Sequence, residues 1–412
     1  MTTARLAHQI AMIPSTEQEQ YFRKACGVAR FAYNWGLSEW QKQYTTGEIP
    51  NWMALKKKLN SLKQDFFPWM YEVTKCAPEG ALSNLGTAWS HYFRDLKKTG
   101  KKTQKPKFKK KGKSKDSFYL SNDQFKIQDK AIHLPHVGWI QLREALRFSG
   151  KILGATISRI ADRWFISVQV ETPVSHLKHK DLKSVGIDLG ILSDITLSTG
   201  KKYQGPKALK KVLKKLARLN RSVHRKVKGS ICRTQAALKL ARLHRRVRNI
   251  RVDFIHKVTT QIVKKFGILC LEDLNVSGML KNHKLARSIA DVSFHEVKRQ
   301  CEYKTELHGG KVLFVSRFFP SSKECRYCGT QNIDLSLKDR IFVCPQCLHQ
   351  EDRDIHAARN ILKNCTLGRR GSDAEGHQAS ISLKSRKRFC RSKPDGLNSE
   401  KCKNTQNDLQ TA

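Results

Sequence analysis

Apolar positions along the chain switch between a period near two and a period near 3.6, and the switches divide it into segments. Residues 4–13 read as a short strand that ends at Pro14. Ser15-x-x-Gln18 is a capping-box pattern. Tyr21, Phe22, Cys26, Ala29, Phe31, Ala32 and Trp35 follow at helical spacing, which predicts a helix to about Tyr44. Two further helical patterns cover 51–67 and 80–98, punctuated by Pro50, Pro68 and Pro78. The aromatics Phe31, Tyr33, Trp35, Trp40, Trp52, Trp69 and Tyr71 read mostly as the core of a small helical bundle, with base stacking as their alternative use. From Phe118 to Thr172 the period falls to two, in Phe125/Ile127, Ile132/Leu134, Trp139/Leu142, Ala155/Ile157 and Trp164/Ile166/Val168/Val170, with turns between. Several short strands over that span predict a small antiparallel barrel that includes the N-terminal strand, with the helices of 15–98 inserted in it. Residues 173–180 read as a linker.

In Ser184-Val185-Gly186-Ile187-Asp188-Leu189-Gly190 the apolar side chains alternate, which puts Asp188 on the opposite face of a strand. The run Ile191–Leu197 and the turn at Gly200-Lys201-Lys202 complete a hairpin with an acid on its inner strand. Two patterns with narrow apolar seams follow, over 207–228 (Leu209, Leu213, Leu216, Val223, Val227) and 233–257 (Leu240, Leu243, Val247, Ile250, Phe254). Gly229-Ser230 separates them, so two antiparallel helices are predicted. A buried strand, Phe266–Leu271, ends in Glu272-Asp273-Leu274-Asn275. A helix over 286–308, a strand over 311–316 and a short helix over 354–363 complete the ordered part. The remainder, 366–412, is rich in Ser, Gly, Lys, Arg and Asn and reads as a disordered basic tail.

Charge gives these segments a partner. The chain has 412 residues, with 79 Lys+Arg against 35 Asp+Glu, a formal net charge of +44. Self-repulsion on that scale favours a polyanionic partner, and nucleic acid is the leading one. A membrane surface fits less well. The basic residues are spread through folded-looking segments, and no apolar run approaches the ~18 residues of a span. The N-terminus carries no signal-peptide block, so a cytoplasmic protein is expected. Residues 101–115 hold nine Lys, among them Lys105, Lys107, Lys109 and Lys110, and read as a phosphate-contacting connector without sequence readout, or else a solvated linker. Between Pro206 and Val252 there is no acidic residue. An ordinary solvated helix mixes signs, so Arg218, Arg221, Arg225, Arg242, Arg245 and Arg246 are candidates for a backbone-binding face.

Two constellations carry chemistry. Cys325-x2-Cys328 and Cys344-x2-Cys347 form two knuckles, and four thiolates complete a closed tetrahedral site for a structural Zn2+, which is therefore not catalytic. A redox pair of motifs is the alternative. His349 lies close enough to compete as a ligand, although the fourth Cys makes it unnecessary. The other eight Cys, including Cys270 and Cys301, read as buried small residues or free thiols. The second constellation is dispersed: Asp188 on the first strand of the hairpin, Glu272 at the end of the later strand, and Asp354 at the start of the last helix. The order of elements allows all three to meet at one sheet edge. Three acids in a basic protein suggest divalent cations beside a phosphodiester, two such ions being about 3.5–4 Å apart in known chemistry. Each acid has a duller alternative, as a turn residue, a lysine partner or a helix cap. Asp273 and Asp352 are rival neighbours. Glu272 is preferred because it follows the strand's alternation from Cys270.

Gly186-Ile187-Asp188-Leu189-Gly190, Leu271-Glu272-Asp273-Leu274, the two cysteine knuckles and Asp352-Arg353-Asp354-Ile355-His356-Ala357-Ala358-Arg359-Asn360-Ile361 occur in this order. With Ser15–Gln20, Ala29–Trp35 and Pro106–Lys111, they resemble the OrfB/TnpB proteins of insertion sequences, compact relatives of type V CRISPR effectors. The resemblance runs from about Leu6 to Leu362. It implies a multidomain α+β protein. An RNase H-like (RuvC-like) nuclease core would occupy 182–318 and 350–365 and include the basic hairpin 206–257. A zinc ribbon would occupy 319–349, a WED-like barrel 1–14 and 99–175, and a helical recognition domain 15–98. It places the catalytic, Mg2+- or Mn2+-binding acids on Asp188, Glu272 and Asp354, and so selects Asp354 over Asp352. It also implies guide RNA and DNA as partners, with base pairing supplying most specificity. No membrane and no small-molecule substrate is implied. Two residues depart from the family pattern: His356 where Asn is usual, and Leu348 where Gly often follows the fourth Cys. The expected function is RNA-guided, metal-dependent DNA cleavage. The alternatives are an accessory DNA-binding protein without nuclease activity, and a transposase that performs strand transfer.

Overall fold

The computed structural model describes residues 3–99, 104–173, 183–336 and 338–370. Strand β1 (Thr3–Ile13) leads into α1 (Thr16–Thr45). Ser15 caps α1 as its pattern predicts. Its hydroxyl accepts from the Gln18 N–H at 3.2 Å, and the Gln18 side chain accepts from the Ser15 N–H at 3.0 Å. The Gln18 amide also donates to the Val137 and Trp139 carbonyls, which ties the helix to strands far along the chain. Helices α2 (Trp52–Phe66) and α3 (Cys76–Thr99) complete the helical layer. Most of its aromatics are core: Tyr33 and Trp40 are buried, and Trp40 stacks on Trp89 at 5.7 Å. Trp69 and Tyr71 keep exposed faces.

Strands β2 (Ser117–Ser121), β3 (Lys126–Gln128), β4 (Ala131–Leu134), β5 (Gly138–Leu142), β6 (Lys151–Ile160) and β7 (Arg163–Pro173) join β1 in an antiparallel sheet ordered β2-β6-β7-β1-β5-β4-β3. The N-terminal strand thus pairs with strands more than a hundred residues away. The sheet is not a closed barrel: among the described residues its end strands β2 and β3 do not pair. The cause lies in β1, which pairs with β7 over Thr3–Ala11 and then with β5 at Met12–Ile13, so the sheet has two wings. The helices supply the apolar cover that a closed barrel finds in itself. Phe22 of α1 meets Phe118 and Trp164 of the sheet at 6.0 and 5.0 Å, and one hydrophobic cluster runs through both. From residue 174 the expected linker lies outside the described residues, as do Lys101 and Lys102 of the basic connector.

A second sheet follows. Strands β8 (Ser184–Asp188), β9 (Ile195–Leu197) and β10 (Lys202–Tyr203) run antiparallel. The basic helices α4 (Ala208–His224) and α5 (Ile231–Lys265) come next, broken at Gly229-Ser230 as predicted. α5 continues past the expected end at 257 because Val258, Ile262 and Val263 are buried against this sheet. Strand β11 (Ile268–Glu272) lies parallel to β8. After α6 (Val276–Met279), the helix expected over 286–308 is two, α7 (Ala286–Val292) and α8 (Phe294–Leu307). Ser293 interrupts them in the left-handed region, at φ 62°. Strand β12 (Lys311–Val315) lies parallel to β11, which completes the order β10-β9-β8-β11-β12. The small pair β13 (Ile341–Val343) and β14 (Gln350–Asp352) precedes α9 (Arg353–Arg370). Helix α9 outlasts the expected 363 and occupies the start of the segment read as tail; 371–412 lie outside the described residues.

The central strands β8 and β11 are covered on both faces. Val185, Ile187, Leu269 and Leu271 pack with α5 and α8, and Ile268 and Cys270 pack with Ile361 of α9. Burial on both faces explains their near-continuous apolar sequences. Among the described residues no helix is long and apolar enough to cross a membrane.

Candidate active site

Two adjacent parallel strands and one helix bring the three acids together. Leu271 of β11 pairs with Ile187 of β8, so the next residues, Glu272 and Asp188, leave the sheet side by side at the strands' C-terminal ends. Helix α9 crosses β8 at Gly186. A Cβ there would stand 1.9 Å from the Ala358 carbonyl oxygen, so only glycine permits the approach. Ala357 and Ala358 are buried at the crossing. Asp354 lies one turn earlier on the same helix and is thereby brought to the end of β8.

Electrostatics show the proximity. The Asp188 carboxyl is pushed up to about 7, first by burial and then by the negative charges of Glu272 and Asp354. Glu272 is raised by burial and partly restored by a hydrogen bond from the Ser321 hydroxyl. The oxygens of the three acids do not all lie within 4.8 Å of one another, unlike those of two tighter clusters described below. The donor set of the three acids, hard oxygens with excess negative charge, fits Mg2+ or Mn2+.

The rival acids have other work. Asp273 accepts from Lys298 at 2.8 Å and Arg317 at 2.5 Å, and these bonds hold it below the usual carboxylate range. Asp352 caps α9, accepting from the Asp354 and Ile355 N–H groups at 3.1 and 3.2 Å, and takes both of its bonds to Lys202 at 2.7 Å. Capping by Asp352 leaves the Asp354 side chain available, with Lys202 Nζ at 3.7 Å. Sequence reasoning missed Lys202 and Ser321. Lys202 sits in a lysine-rich turn and Ser321 in a loop, and neither has a periodic or spacing signal. Asn360, inside the quoted motif, is buried and donates to the Ser321 and Glu324 carbonyls, both at 2.7 Å. Helix α9 therefore also positions the loop whose Ser321 holds Glu272.

The four cysteines also meet. Sγ of Cys325 lies 3.6 Å from that of Cys347, and Sγ of Cys328 lies 3.4 Å from that of Cys344. A ~2.3 Å Zn–S bond predicts tetrahedral edges of about 3.8 Å, so the set fits zinc with slight contraction. The knuckles are built alike. The Gly329 N–H donates to the Cys325 carbonyl at 2.9 Å, and the Leu348 N–H to the Cys344 carbonyl at 3.1 Å. Both fifth residues are left-handed, Gly329 at φ 78° and Leu348 at φ 57°. The departure at Leu348 therefore keeps the turn and strains it. His349 does not turn to the thiolates; its ring faces Glu351.

The basic candidates divide. Lys105, Lys107, Lys110, Arg218, Arg221, Arg225 and Arg246 are exposed. Arg242 and Arg245 instead hold Asp162 of the β6–β7 turn at 2.9 and 2.6 Å, and Arg245 also donates to the Ile160 carbonyl. These two dock α5 on the first sheet. Lys109 lies 3.8 Å over the Tyr33 ring, and Asn34 brackets its backbone with two hydrogen bonds. All three were candidates for phosphate; the fold gives each a protein partner that a one-dimensional charge count cannot show.

Residues 167–283, which include Asp188 and Glu272, match the OrfB_IS605 family, described as "Probable transposase". Residues 294–361, with the cysteines and Asp354, match the Cas12f1-like TNB domain. The chain is 30% identical over 378 residues to "Putative RNA-guided DNA endonuclease InsQ" of Escherichia coli K12, covering 86% of this chain and 91% of that one. A relative of the same designation from Streptomyces pristinaespiralis is 32% identical, with 88% and 90% covered. The chain belongs to the OrfB/TnpB family. The fold of this OrfB/TnpB protein is also that of Cas12f1 in its complex with guide RNA and target DNA, at a TM-score of 0.51, 16% identity and 84% and 83% coverage. Residues 1–48 match a family segment described as a helix-turn-helix domain, yet here they form one strand and one unbroken helix.

Proposed function

We propose that this OrfB/TnpB protein is an RNA-guided DNA endonuclease of an insertion element that hydrolyses phosphodiesters at a RuvC-like, metal-dependent site. The supporting observation is the convergence of Asp188, Glu272 and Asp354, with the Asp188 carboxyl raised to about 7 by burial first and then by its two acidic neighbours. The second sheet, with its antiparallel first three strands and two parallel ones, suits an RNase H-like core. In this reading 182–318 and 350–365 are the nuclease, 319–349 a zinc ribbon, 1–14 with 99–175 the WED-like part, and 15–98 the recognition part.

Asp188, Glu272 and Asp354 would hold Mg2+ or Mn2+, which when bound supply an activated water and charge stabilisation at the leaving oxygen. The chain's own residues do the rest. The Ser321 hydroxyl orients Glu272, and the Gly186–Ala358 contact sets the reach of Asp354. Lys202 stands beside Asp354 with a positive charge that can meet a scissile phosphate. The exposed cations of α4, α5 and the 104–115 connector carry the polyanions without reading bases. A guide RNA supplies sequence by pairing.

The test is cleavage by the purified protein with RNA from its element's end, on matching DNA with a flanking motif. Asp188→Ala should abolish cutting and keep RNA binding. Normal cutting by that variant refutes the site. Joined rather than hydrolysed ends would assign strand transfer, and binding without cleavage in Mg2+ or Mn2+ would assign an accessory role.

A further inference from the structure

Outside the four cysteines and the three acids, one more set of ligand-type side chains converges among the described residues: His349, Glu351 and His356, each offering an atom within 4.8 Å of the others. His356 is fully buried, stacked flat on Phe342 at 3.9 Å, and lies on α9 two residues after Asp354. Its Nε2 donates to the Glu324 carbonyl at 2.8 Å. Both hydrogens of the adjacent Asn360 amide go to the Ser321 and Glu324 carbonyls, so that amide gives Nε2 no donor. The Nε2 bond fixes the tautomer: a neutral His356 carries its lone pair on Nδ1. That atom points at Glu351 Oε2, 3.3 Å away. His349 Nε2 is buried, makes no hydrogen bond and lies 3.5 Å from the same oxygen. Two ring nitrogens thus converge on one carboxylate oxygen. Lone pair against carboxylate is repulsive, so a cation belongs between them.

We propose that His349 Nε2, His356 Nδ1 and Glu351 Oε2 form a second transition-metal site, filled by Zn2+, that clamps the cysteine module to helix α9. Two of the three edges fit: bonds of about 2.0–2.1 Å predict tetrahedral edges of about 3.3–3.4 Å, against the 3.3 and 3.5 Å from the ring nitrogens to Glu351. The third, between the two rings, is longer but within 4.8 Å, and a bound ion would draw it in. The supporting shell fits as well. A ligating histidine ordinarily donates its other N–H to a carbonyl, as His356 does, and a ligating carboxylate is held by a further donor. Here Arg359 takes Glu351 Oε1 and leaves Oε2 to the ion. Two imidazoles and one carboxylate select a borderline ion over Mg2+, and the fourth position is left for water. The site gives the departure at His356 a purpose: it holds the Asp354 helix from the side away from the acids. The alternative occupant of the gap is a proton on His356, which places an imidazolium where burial is costly.

Metal content separates the two. The full-length protein, freed of RNA and of loosely held ions, is compared with His349→Ala and His356→Asn by elemental analysis, with thiol labelling to confirm that the four cysteines stay protected. The expected result is one Zn2+ per chain fewer in each variant, with the cysteines still protected. Equal zinc in wild type and His349→Ala overturns the proposal and assigns the contact to an imidazolium pair. Cobalt substitution reads the same question where His356→Asn disturbs folding. His349→Ala should remove the share of the d–d absorption that the second cobalt contributes and leave the d–d bands and the sulfur-to-cobalt band of the four-thiolate site; a spectrum unchanged by His349→Ala overturns the proposal too.

Discussion

Gly186→Ala is the most direct test of how the proposed catalytic geometry is built. The new Cβ would meet the Ala358 carbonyl oxygen at 1.9 Å, the Leu362 nitrogen at 2.9 Å and the Ala358 carbonyl carbon at 3.0 Å. All three are backbone atoms, so no side chain can rotate away. Strand β8 is held from both sides: Leu269, Cys270 and Leu271 pair with Val185, Gly186 and Ile187, and Ser198 bonds both the N–H and the carbonyl of Gly186. Helix α9, on the sheet's face, is the part free to yield. To regain ordinary contact it must withdraw by about 1.5 Å, and Asp354, one turn away, moves with it. Overpacking of this kind costs about 1–3 kcal/mol, offset by roughly 0.5–1 kcal/mol from replacing a strand glycine. A net loss of about 1–2 kcal/mol in stability is therefore expected. In the metal-holding role proposed for Asp354, displacement on this scale costs about a hundredfold in rate. Single-turnover cleavage by the RNA-loaded protein measures the second figure, thermal unfolding the first, and guide affinity serves as an unchanged control. Cleavage within about threefold of wild type, with an unshifted Tm, would show that the Gly186 crossing does not set the position of Asp354.

The other predictions concern charge and strain. Because Asp188 is raised to about 7, its proton competes with the metal below neutrality. The Mg2+ concentration for half-maximal cleavage should climb about tenfold per pH unit below 7 and flatten above it, and a constant value from about pH 6 to about pH 8 would refute the coupling. In the metal-free protein the same shift works against stability as pH rises from the ordinary Asp value towards 7, so added Mg2+ should raise Tm more at about pH 8 than at about pH 5. Leu348→Gly relieves a left-handed residue that is 71% exposed and should stabilise the cysteine module by about 1 kcal/mol, read as slower zinc loss to a chelator. Arg245→Ala should cost about 1 kcal/mol in stability by removing one of the two arginines that hold Asp162 and the bond to the Ile160 carbonyl, with little change in the salt dependence of RNA binding. Arg246→Ala should do the reverse, lowering the salt slope by about one; identical behaviour of the two variants would contradict their different placement.

The sequence by itself determined the elements, the partner class and the ligand types. Periodicity marks α1 with its Ser15 cap, the basic hairpin broken at Gly229-Ser230, and the twin strands that carry Asp188 and Glu272. These are local properties, written in side-chain spacing and charge. The tertiary structure decided what spacing cannot express. It assigned Asp273 to Lys298 and Arg317, and Asp352 to the cap of α9, leaving Glu272 and Asp354 facing Asp188. It gave Arg242, Arg245 and Lys109, three of the phosphate candidates, each a protein partner more than seventy residues away. It opened the expected barrel, because one strand shared between two wings needs α1 as its cover. It turned His349 from the zinc thiolates towards Glu351. The physical reason is common to all four. A charge or an apolar face is fixed by its own residue, but which partner satisfies it depends on close approaches, such as Gly186 against Ala358, that only the folded chain creates.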